Sequence, residues 1–288
     1  MANSKDVVVT GVSTGIGWGT TKVLVAKGFR VFGSVRKQAD ADRLQREFGE
    51  GFVPLLMDIT DADAVYQAAQ QVGSIIGDRN LVGLVNNAGI VVSGPLLYLR
   101  PSEYRRQLEV NMISPLVVIQ AFARLLGTDK KRQGPAGRIV NISSTGAKVA
   151  IPLIGAYSSS KAGLEGMSDA LRQELMLFGI DVVIIEPGTV NTSMYDKGEK
   201  EDLSEFKPTE YWEAVQNFQK FIVTEARNNG LSPERLAEAV HVALSSAKPK
   251  ARYAVVPQRF KNWTLPRLLP VRMLDAHLAK LLGLIKTS

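Results

Sequence analysis

The chain has 288 residues, a length that suits a single α/β sheet with an added lid and that allows a large buried core. It has no cysteine, which excludes disulfides, thiolate nucleophiles and cysteine-ligated zinc. The net charge is +7, but residues 248–288 carry nine Lys/Arg and one acid, so this tail is +8 and residues 1–247 sum to −1. Without a basic body, we expect no nucleic-acid partner.

Short apolar runs alternate with helical patterns along the chain. Most runs are apolar on successive residues, which is typical of parallel strands covered on both faces. The predicted strands are Val7–Thr10, Arg30–Val35, Phe52–Met57, Gly83–Val85, Arg138–Ile142, Val182–Ile185 and Tyr253–Val256. The predicted helices are Thr20–Lys27, Asp61–Ile76, Ser102–Leu126, with a kink at Pro115, and Ser159–Phe178.

This alternation predicts one α/β domain over residues 1–288, with a Rossmann-type, doubly wound parallel sheet of about seven strands and helices on both faces. Residues 191–229 interrupt this alternation of strands and helices and are predicted to form a lid over a substrate. Residues 257–288 form an apolar and basic extension. Because the chain shows no signal-peptide pattern and no run of about 18 apolar residues, we expect a cytoplasmic protein without a membrane-spanning helix.

A glycine-rich turn follows the first predicted strand and precedes a helix. Glycines allow the backbone to approach a pyrophosphate, and the helix N-terminus offers free N–H groups. The spacing is GxxxGxG rather than GxGxxG, and a strand–helix connection without a ligand is the alternative. The predicted dinucleotide-binding residues here are Gly11, Ser13, Thr14, Gly15, Ile16 and Gly17.

The end of the second predicted strand indicates which dinucleotide is bound. NAD binders usually place an acid there for the ribose 2′-hydroxyl, whereas this chain has Val35 and then Arg36. A guanidinium can hold a 2′-phosphate through paired, charge-assisted hydrogen bonds. We therefore predict NADP(H), held by Arg36 with help from Ser13 or Lys37. The alternative is that Arg36 is a solvated loop residue.

Tyr157 and Lys161 are four residues apart at the start of a helical segment, so they share a helix face. A free tyrosine has a pKa near 10, and a neighbouring ammonium would lower that pKa toward the range useful for proton transfer. The spacing alone is common, and the pair could be an ordinary surface contact.

Polar residues near predicted strand ends and in the long helix strengthen this interpretation. Ser143 and Ser144 follow the strand Arg138–Ile142, where a doubly wound sheet places its ligands. Asn87, Ala88 and Gly89 follow another strand end and are small enough for a close cofactor approach. Asn111 is a polar residue among apolar ones. Its side chain is predicted either to form a hydrogen bond within the helix near Pro115 or to hold a water that serves the lysine.

Together these motifs resemble the short-chain dehydrogenase/reductase family over residues 5–195, and the apolar, basic tail is similar to the retinol and hydroxysteroid dehydrogenase branch. The motifs that carry the resemblance, in chain order, are TGVSTGIG, NNAG, Asn111, ISS, YSSSK and PGTVNT. The resemblance implies an oxidoreductase that transfers a hydride between NADP(H) and a carbonyl or alcohol. It also implies a homodimer or homotetramer.

The family's roles can be carried over to matching residues of this chain. Tyr157 would be the general acid/base, and Lys161 would lower its pKa and bind the nicotinamide ribose. Ser144 would orient the substrate oxygen, with Ser143 as the alternative, and Asn111 would hold a water in a proton relay.

The resemblance also assigns further cofactor contacts. Asn87 and Ala88 would line the cofactor cleft, and Asp58 would lie beside the adenine. Pro187, Gly188 and either Thr189 or Thr192 would hold the nicotinamide carboxamide, and Val190 would be a further cofactor contact.

Apolar residues dominate the predicted substrate region, which favours a hydrophobic ketone, aldehyde or secondary alcohol. Half of the aromatic side chains could equally be ordinary core. The candidates are Val149, Ile151, Leu153 and Ile154 before the tyrosine, and Met194, Tyr195, Phe206, Tyr211, Trp212, Phe218 and Phe221 in the lid.

The C-terminal extension contains one apolar helix stripe flanked by basic residues, formed by Leu274, Leu278, Leu281, Leu282 and Ile285. We expect it to pack on the body or on a second subunit, in preference to lying on a membrane surface. His241 and His277 are isolated, so no metal site is predicted. The alternative function is an NADP(H)-binding sensor or scaffold without turnover. A membrane-surface partner protein would not explain the catalytic motifs.

Overall fold

A computed structural model of the protein describes residues 5–192, 198 and 200–285. Its strands form one parallel sheet in the order β3-β2-β1-β4-β5-β6-β7. The strands are β1 (Lys5–Val9), β2 (Phe29–Val35), β3 (Phe52–Leu56), β4 (Gly83–Asn86), β5 (Arg138–Ile142), β6 (Asp181–Pro187) and β7 (Arg252–Val255). The predicted α/β fold with about seven strands is confirmed, and each predicted strand overlaps an observed one.

Helices cover both faces of this sheet. They are α1 (Gly15–Ala26), α2 (Gln38–Phe48), α3 (Ala62–Ile76), α4 (Pro101–Leu108), α5 (Ser114–Phe122), α6 (Gly155–Glu174), α7 (Trp212–Asn229), α8 (Pro233–Ser245), α9 (Leu265–Leu268) and α10 (Val271–Leu282). Short 3-10 turns occur at Gly49–Gly51, Ala123–Leu126, Thr145–Ala147, Leu175–Phe178 and Ser204–Phe206, and π turns at Glu109–Ile113 and Phe260–Thr264.

Alternate side chains of each strand supply two separate cores. Val7 and Val9 of β1 pack on the face covered by α1, α2 and α8, whereas Val8 packs on the face covered by α3, α5 and α6. Helices cover both faces, which is why the strand sequences are continuous apolar runs rather than alternating ones.

Helix α1 begins at Gly15, five residues before the predicted start at Thr20. Glycine has poor helix propensity, so the sequence pattern hid the first turn. The early start matters because it places the N-terminus of α1 directly after the tight turn at the end of β1.

The long predicted helix Ser102–Leu126 is built from α4, a π turn, α5 and a 3-10 turn. Pro115 has no N–H to donate to the carbonyl of Asn111, its normal partner four residues earlier, and the backbone widens just before it. In this wider turn the N–H of Ser114 donates to the carbonyl of Glu109, five residues back. The predicted distortion is present, as a π turn.

Against expectation, the stretch Pro101–Leu126 is long and apolar enough to qualify as a candidate membrane span among the described residues. Part of this stretch is buried inside the protein, although Ile113 is 45% exposed. Val118, Phe122 and Leu126 are fully buried in the core beneath the sheet. We therefore interpret this stretch as a core helix.

A third apolar cluster lies outside the sheet and joins the region predicted to form a lid to the C-terminal helix. Its buried members are Leu153, Leu203, Phe206, Ala214, Val215, Phe218 and Leu282. Helix α10 contributes Leu282, which is 1% exposed, while Leu281 and Ile285 are 45% and 48% exposed. The predicted stripe therefore packs on the body only in part.

Candidate active site

The candidate active site lies at the C-terminal edge of the sheet. There the chain order reverses between β1 and β4, because β1 is flanked by β2 on one side and β4 on the other. In doubly wound sheets a crevice opens at this switch point and receives the ligand.

The glycine turn forms one wall of this crevice. Gly11 and Gly15 have φ angles of +70° and +59°, a region that favours glycine. A Cβ on Gly17 would lie 2.2 Å from the carbonyl oxygen of Gly11, and a Cβ on Gly11 would lie 2.8 Å from Cα of Ala88. The glycines are therefore required by backbone contact as well as by conformation.

This turn has the chemistry needed for a dinucleotide pyrophosphate. The first turn of α1 carries no acidic residue, and its leading N–H groups have no partner within the helix. Helix dipoles add partial positive charge at such an N-terminus. Thr14 is the residue that precedes α1, Ser13 lies just before it, and Ile16 packs partly against the adjacent core.

The segment Asn87–Gly89 is tied to the glycine turn, as expected for a shared cofactor cleft. Asn87 donates from Nδ2 to the carbonyls of Thr10 (2.9 Å) and Gly11 (3.1 Å). The Thr10 hydroxyl accepts from the N–H groups of Asn87 and Ala88, both at 3.0 Å. A Cβ on Gly89 would lie 3.2 Å from Oδ1 of Asn111, so a larger residue there would crowd the asparagine.

Three cations lie near the end of β2, where the ribose 2′ position is predicted to bind. Arg36 is 73% exposed and lies 3.8 Å from a carboxylate oxygen of Asp58. Burial acts to raise the pKa of Asp58, but hydrogen bonds from Thr60 and the nearby guanidinium lower it overall. Arg43, which sequence reasoning missed, donates to the Ser13 carbonyl at 2.6 Å. Lys37 is exposed and precedes α2.

The loop after β6 closes the other side of the crevice. Pro187 ends the strand, and the N–H of Gly188 donates to the carbonyl of Val255 at 3.0 Å. Val190 is buried and forms a bridge with Leu231. A Cβ on Gly15 would lie 3.2 Å from Cβ of Thr192, so this loop reaches the phosphate turn.

Tyr157, Ser144 and Lys161 meet beside this cleft, as predicted. Tyr157 lies in the first turn of α6 and hydrogen bonds with Ser144, which follows β5. The Ser144 hydroxyl also accepts from the N–H of Gly146 at 3.1 Å. Lys161 is 5% exposed, donates to the carbonyl of Ile142 at 2.8 Å and lies 5.9 Å from the Tyr157 ring centre.

The pKa of Tyr157 differs from the sequence-based expectation. Burial raises the tyrosine pKa above its ordinary value, and the hydrogen bond with Ser144 only partly opposes this. Burial also lowers the pKa of Lys161 to about 8, which the Glu165 carboxylate partly offsets. The predicted lowering of the tyrosine pKa by the lysine is therefore not present in the protein alone, because desolvation dominates at both groups.

Ser143, the alternative to Ser144 for orienting the substrate oxygen, is not positioned for that role. Its hydroxyl donates to Oε1 of Glu165 at 2.7 Å, away from Tyr157. Glu165 is buried and also pairs with Lys148 at 2.7 Å and with Arg252. Sequence reasoning missed this buried network; the one local signal was that Glu165 stands four residues after Lys161.

Asn111 is fully buried and bridges two parts of the site. Its side chain accepts from the N–H of Ile90 (2.9 Å), and donates to the carbonyl of Ile90 (3.0 Å) and to the hydroxyl of Ser160 (3.2 Å). The hydrogen bond within its own helix, one of the two predicted reasons for this residue, is not what its side chain makes. Asn111 instead joins the segment after β4 to α6.

The residues before Tyr157 pack in one apolar cluster with described residues of the predicted lid. Leu153 is 5% exposed at a φ of +70°, and its carbonyl accepts from the N–H of Gly94 at 2.7 Å. Phe206 and Phe218 are core residues of the lid cluster, so the alternative of ordinary core applies to them. Tyr211 and Trp212 are partly buried beside the cluster. Met194 and Tyr195 lie outside the described residues.

Comparison of the sequence with known proteins shows which family the chain resembles. The family model for short chain dehydrogenases matches residues 5–203. An NADPH-dependent 3-dehydrocapnine reductase from Ornithobacterium rhinotracheale is 40% identical over 268 residues, covering 93% of this chain and 94% of that protein. Retinol dehydrogenase 5 from Mus musculus is 31% identical over 292 residues, covering 98% and 90%.

Solved structures agree on the fold. The crystal structure of a short-chain dehydrogenase from Streptomyces avermitilis superposes with a TM-score of 0.75 at 24% identity, covering 99% of this chain and 98% of that one. The chain belongs to the short-chain dehydrogenase family, and the expected resemblance to its retinol dehydrogenase branch is confirmed. It is therefore an oxidoreductase of the class that acts on CH–OH groups.

Proposed function

We propose that this protein transfers a hydride between NADP(H) and a hydrophobic ketone, aldehyde or secondary alcohol, with Tyr157 as general acid/base. The observation that carries the proposal is the meeting of Tyr157, Ser144 and Lys161 beside a glycine-lined dinucleotide crevice. A Cβ on Gly146 would lie 3.4 Å from Oγ of Ser144 and 3.6 Å from Cε1 of Tyr157, and Lys161 is one helix turn after the tyrosine. Following NADPH absorbance with a panel of carbonyls and alcohols, and NADH in parallel, tests it.

The residues divide the work of carbonyl reduction. NADPH, when bound, supplies the hydride that reaches the carbonyl carbon. Ser144 and Tyr157 hold the carbonyl oxygen, and the Tyr157 hydroxyl gives it a proton. Burial raises the tyrosine pKa in the protein alone, so Tyr157 holds its proton at neutral pH and needs a nearby positive charge to release it. The buried ammonium of Lys161 stabilises the phenolate that remains.

Reprotonation of Tyr157 needs a route from solvent. Asn111 and Ser160 form a hydrogen-bonded pair next to the lysine, and the Ser160 hydroxyl donates to the Tyr157 carbonyl at 2.7 Å. We assign Asn111 to hold a water on this route. Its bonds to the Ile90 backbone fix its orientation.

Selection of NADP(H) over NAD(H) is assigned to Arg36. An exposed guanidinium at the end of β2 can turn to a 2′-phosphate, with Arg43, Ser13 and Lys37 close by. The NADPH-dependent reductase that is 40% identical to this chain supports the same cofactor here. The glycine turn, the segment Asn87–Gly89 and the loop of Pro187–Thr192 would hold its remaining parts.

Arg36→Asp should reverse much of this selection. The variant loses the charge-assisted hydrogen bonds to the 2′-phosphate, and its new carboxylate repels that phosphate. The NADPH-to-NADH ratio of kcat/KM should therefore fall by about 100-fold. Arg46→Asp is the matched control, because it makes the same change at an exposed position of α2. An unchanged cofactor ratio in the Arg36 variant would overturn the assignment.

The pKa of Lys161 predicts a pH limit on turnover. The ammonium is present below pH about 8 and is lost above it. We therefore expect kcat for reduction to fall about tenfold per pH unit above this value. In Lys161→Arg, any remaining activity should show no such fall, because the guanidinium stays charged. A wild-type profile that is flat to about pH 10 contradicts this role.

The apolar substrate class is supported by the walls of the entrance. Leu96 and Leu97 are 57% and 73% exposed on the segment that faces the residues before Tyr157, and a Cβ on Gly155 would meet Leu96 at 2.6 Å. Phe206 of the proposed lid, residues 191–229, lies 2.6 Å from a Cβ built on Gly94. Exposed leucines beside a crevice favour binding of apolar molecules.

Assembly as a homodimer or homotetramer and a cytoplasmic location complete the proposal. Strand β7 is the edge of the sheet, its side chains are half-buried, and Val242 beside it is 44% exposed. An apolar edge strand of this kind favours pairing between copies. Sedimentation equilibrium measures the assembly, with a purely monomeric protein as the contrary result, and cell fractionation measures the location.

A further inference from the structure

The segment from Phe260 to Met273 leaves large apolar side chains in solvent. Leu268 and Val271 are 74% and 73% exposed, Met273 is 59% exposed and Leu265 is 39% exposed. We call these four residues the apolar rim. Two of them precede the bend at Pro270 between α9 and α10, and two follow it.

The rim is held firmly by residues that are not part of it. Trp263 is 7% exposed and lies under the Arg267 guanidinium, 4.5 Å from its ring centre. At the other end Leu282 is buried in the lid cluster, and its carbonyl accepts from Asn217 at 3.3 Å. The segment is thus anchored on both sides, and its own core contacts do not use the rim.

The charge around the rim indicates what it contacts. Residues 257–274 contain four cations and no acid. Arg259, Lys261, Arg267 and Arg272 are all exposed. Apolar side chains bracketed by cations match the boundary between headgroups and acyl chains in an anionic bilayer. A second copy fits less well, because a symmetric contact would bring the same cations together.

We propose that the apolar rim and its flanking cations dock this protein on an anionic membrane surface. Val271 and Met273 enter the interface, and Arg267 and Arg272 meet lipid phosphates. The docked helix α10 also contributes to the apolar cluster that contains Leu153, four residues before Tyr157. Binding to a membrane surface does not require turnover, so this proposal can be tested separately from the proposed reaction.

Flotation of the full-length protein with vesicles tests this docking. The probes are phosphatidylcholine vesicles with and without about 30 mol % phosphatidylglycerol. Wild type should float with the anionic vesicles, remain behind with the neutral ones and detach at about 0.5 M salt. The double variant Leu268→Asp/Val271→Asp should lose at least about tenfold of the floating fraction, and Arg267→Gln/Arg272→Gln should lose floating in the same direction.

Leu177→Asp is the matched control. Leu177 is 78% exposed in the 3-10 turn before the N-terminal end of β6, whereas the rim follows the C-terminal end of β7, so its change should leave flotation intact. NADPH turnover in all variants should match wild type, which shows that they are folded. The proposal is overturned if wild type stays with the soluble fraction, or if the rim variant floats equally. It is also overturned if the rim variant only dissociates a dimer in sedimentation.

Discussion

Tyr157→Phe is expected to lower kcat by about 10³-fold while NADPH still binds with near-wild-type affinity, because general acid–base catalysis contributes on this scale. The ring remains in the first turn of α6, and only the hydroxyl that hydrogen bonds with Ser144 is removed. Stopped assays of carbonyl reduction, together with fluorescence titration of NADPH, separate the two effects.

Tyr104→Phe provides a matched control for this change. Its hydroxyl donates to the Ser159 hydroxyl at 2.9 Å, so it contacts the same helix without belonging to the site. We expect nearly full turnover in this variant. More than a few percent of wild-type activity in Tyr157→Phe would exclude the tyrosine as the proton donor.

Glu165→Gln is expected to lower the free energy of unfolding by about 3 kcal/mol, since removing one charge from a buried ion network leaves its partners uncompensated. The carboxylate is 3% exposed and accepts from Ser143, Lys148 and Arg252. Glutamine keeps the shape but has one acceptor oxygen and no charge. Urea denaturation followed by fluorescence measures the loss.

Asp169→Asn is the matched control, because it separates the effect of burial from the effect of losing one negative charge. Asp169 also pairs with Arg252, at 2.6 Å, but its side chain is 39% exposed. Solvent screens such a pair, and we expect a loss below about 1 kcal/mol. Equal losses in the two variants would show that the buried position of Glu165 adds nothing.

The sheet and the central residues of the site could be predicted from the sequence for physical reasons. Strands buried on both faces leave unbroken apolar runs, and ligand groups follow the ends of such strands. Ser144 and Asn87 could be placed this way. Tyr157 and Lys161 share a helix face at a fixed spacing, so their proximity also follows from the chain itself.

Other features depend on contacts between distant parts of the chain. Arg43 reaches the Ser13 carbonyl from a separate helix, and Arg252 meets Glu165 across 87 positions. No local pattern records either contact. The raised pKa of Tyr157 was missed for a related reason, because desolvation depends on everything packed around the ring rather than on the lysine alone.

The π turn at Glu109–Ile113 gives this segment an unusual sensitivity to length. A wider turn accommodates one residue more than a regular helical turn, and Asn111 sits within it. Deleting one residue there would restore regular spacing and swing the asparagine about 100° around the axis, away from Ile90 and Ser160. Evolution can therefore vary most side chains of this turn more freely than it can vary the number of residues.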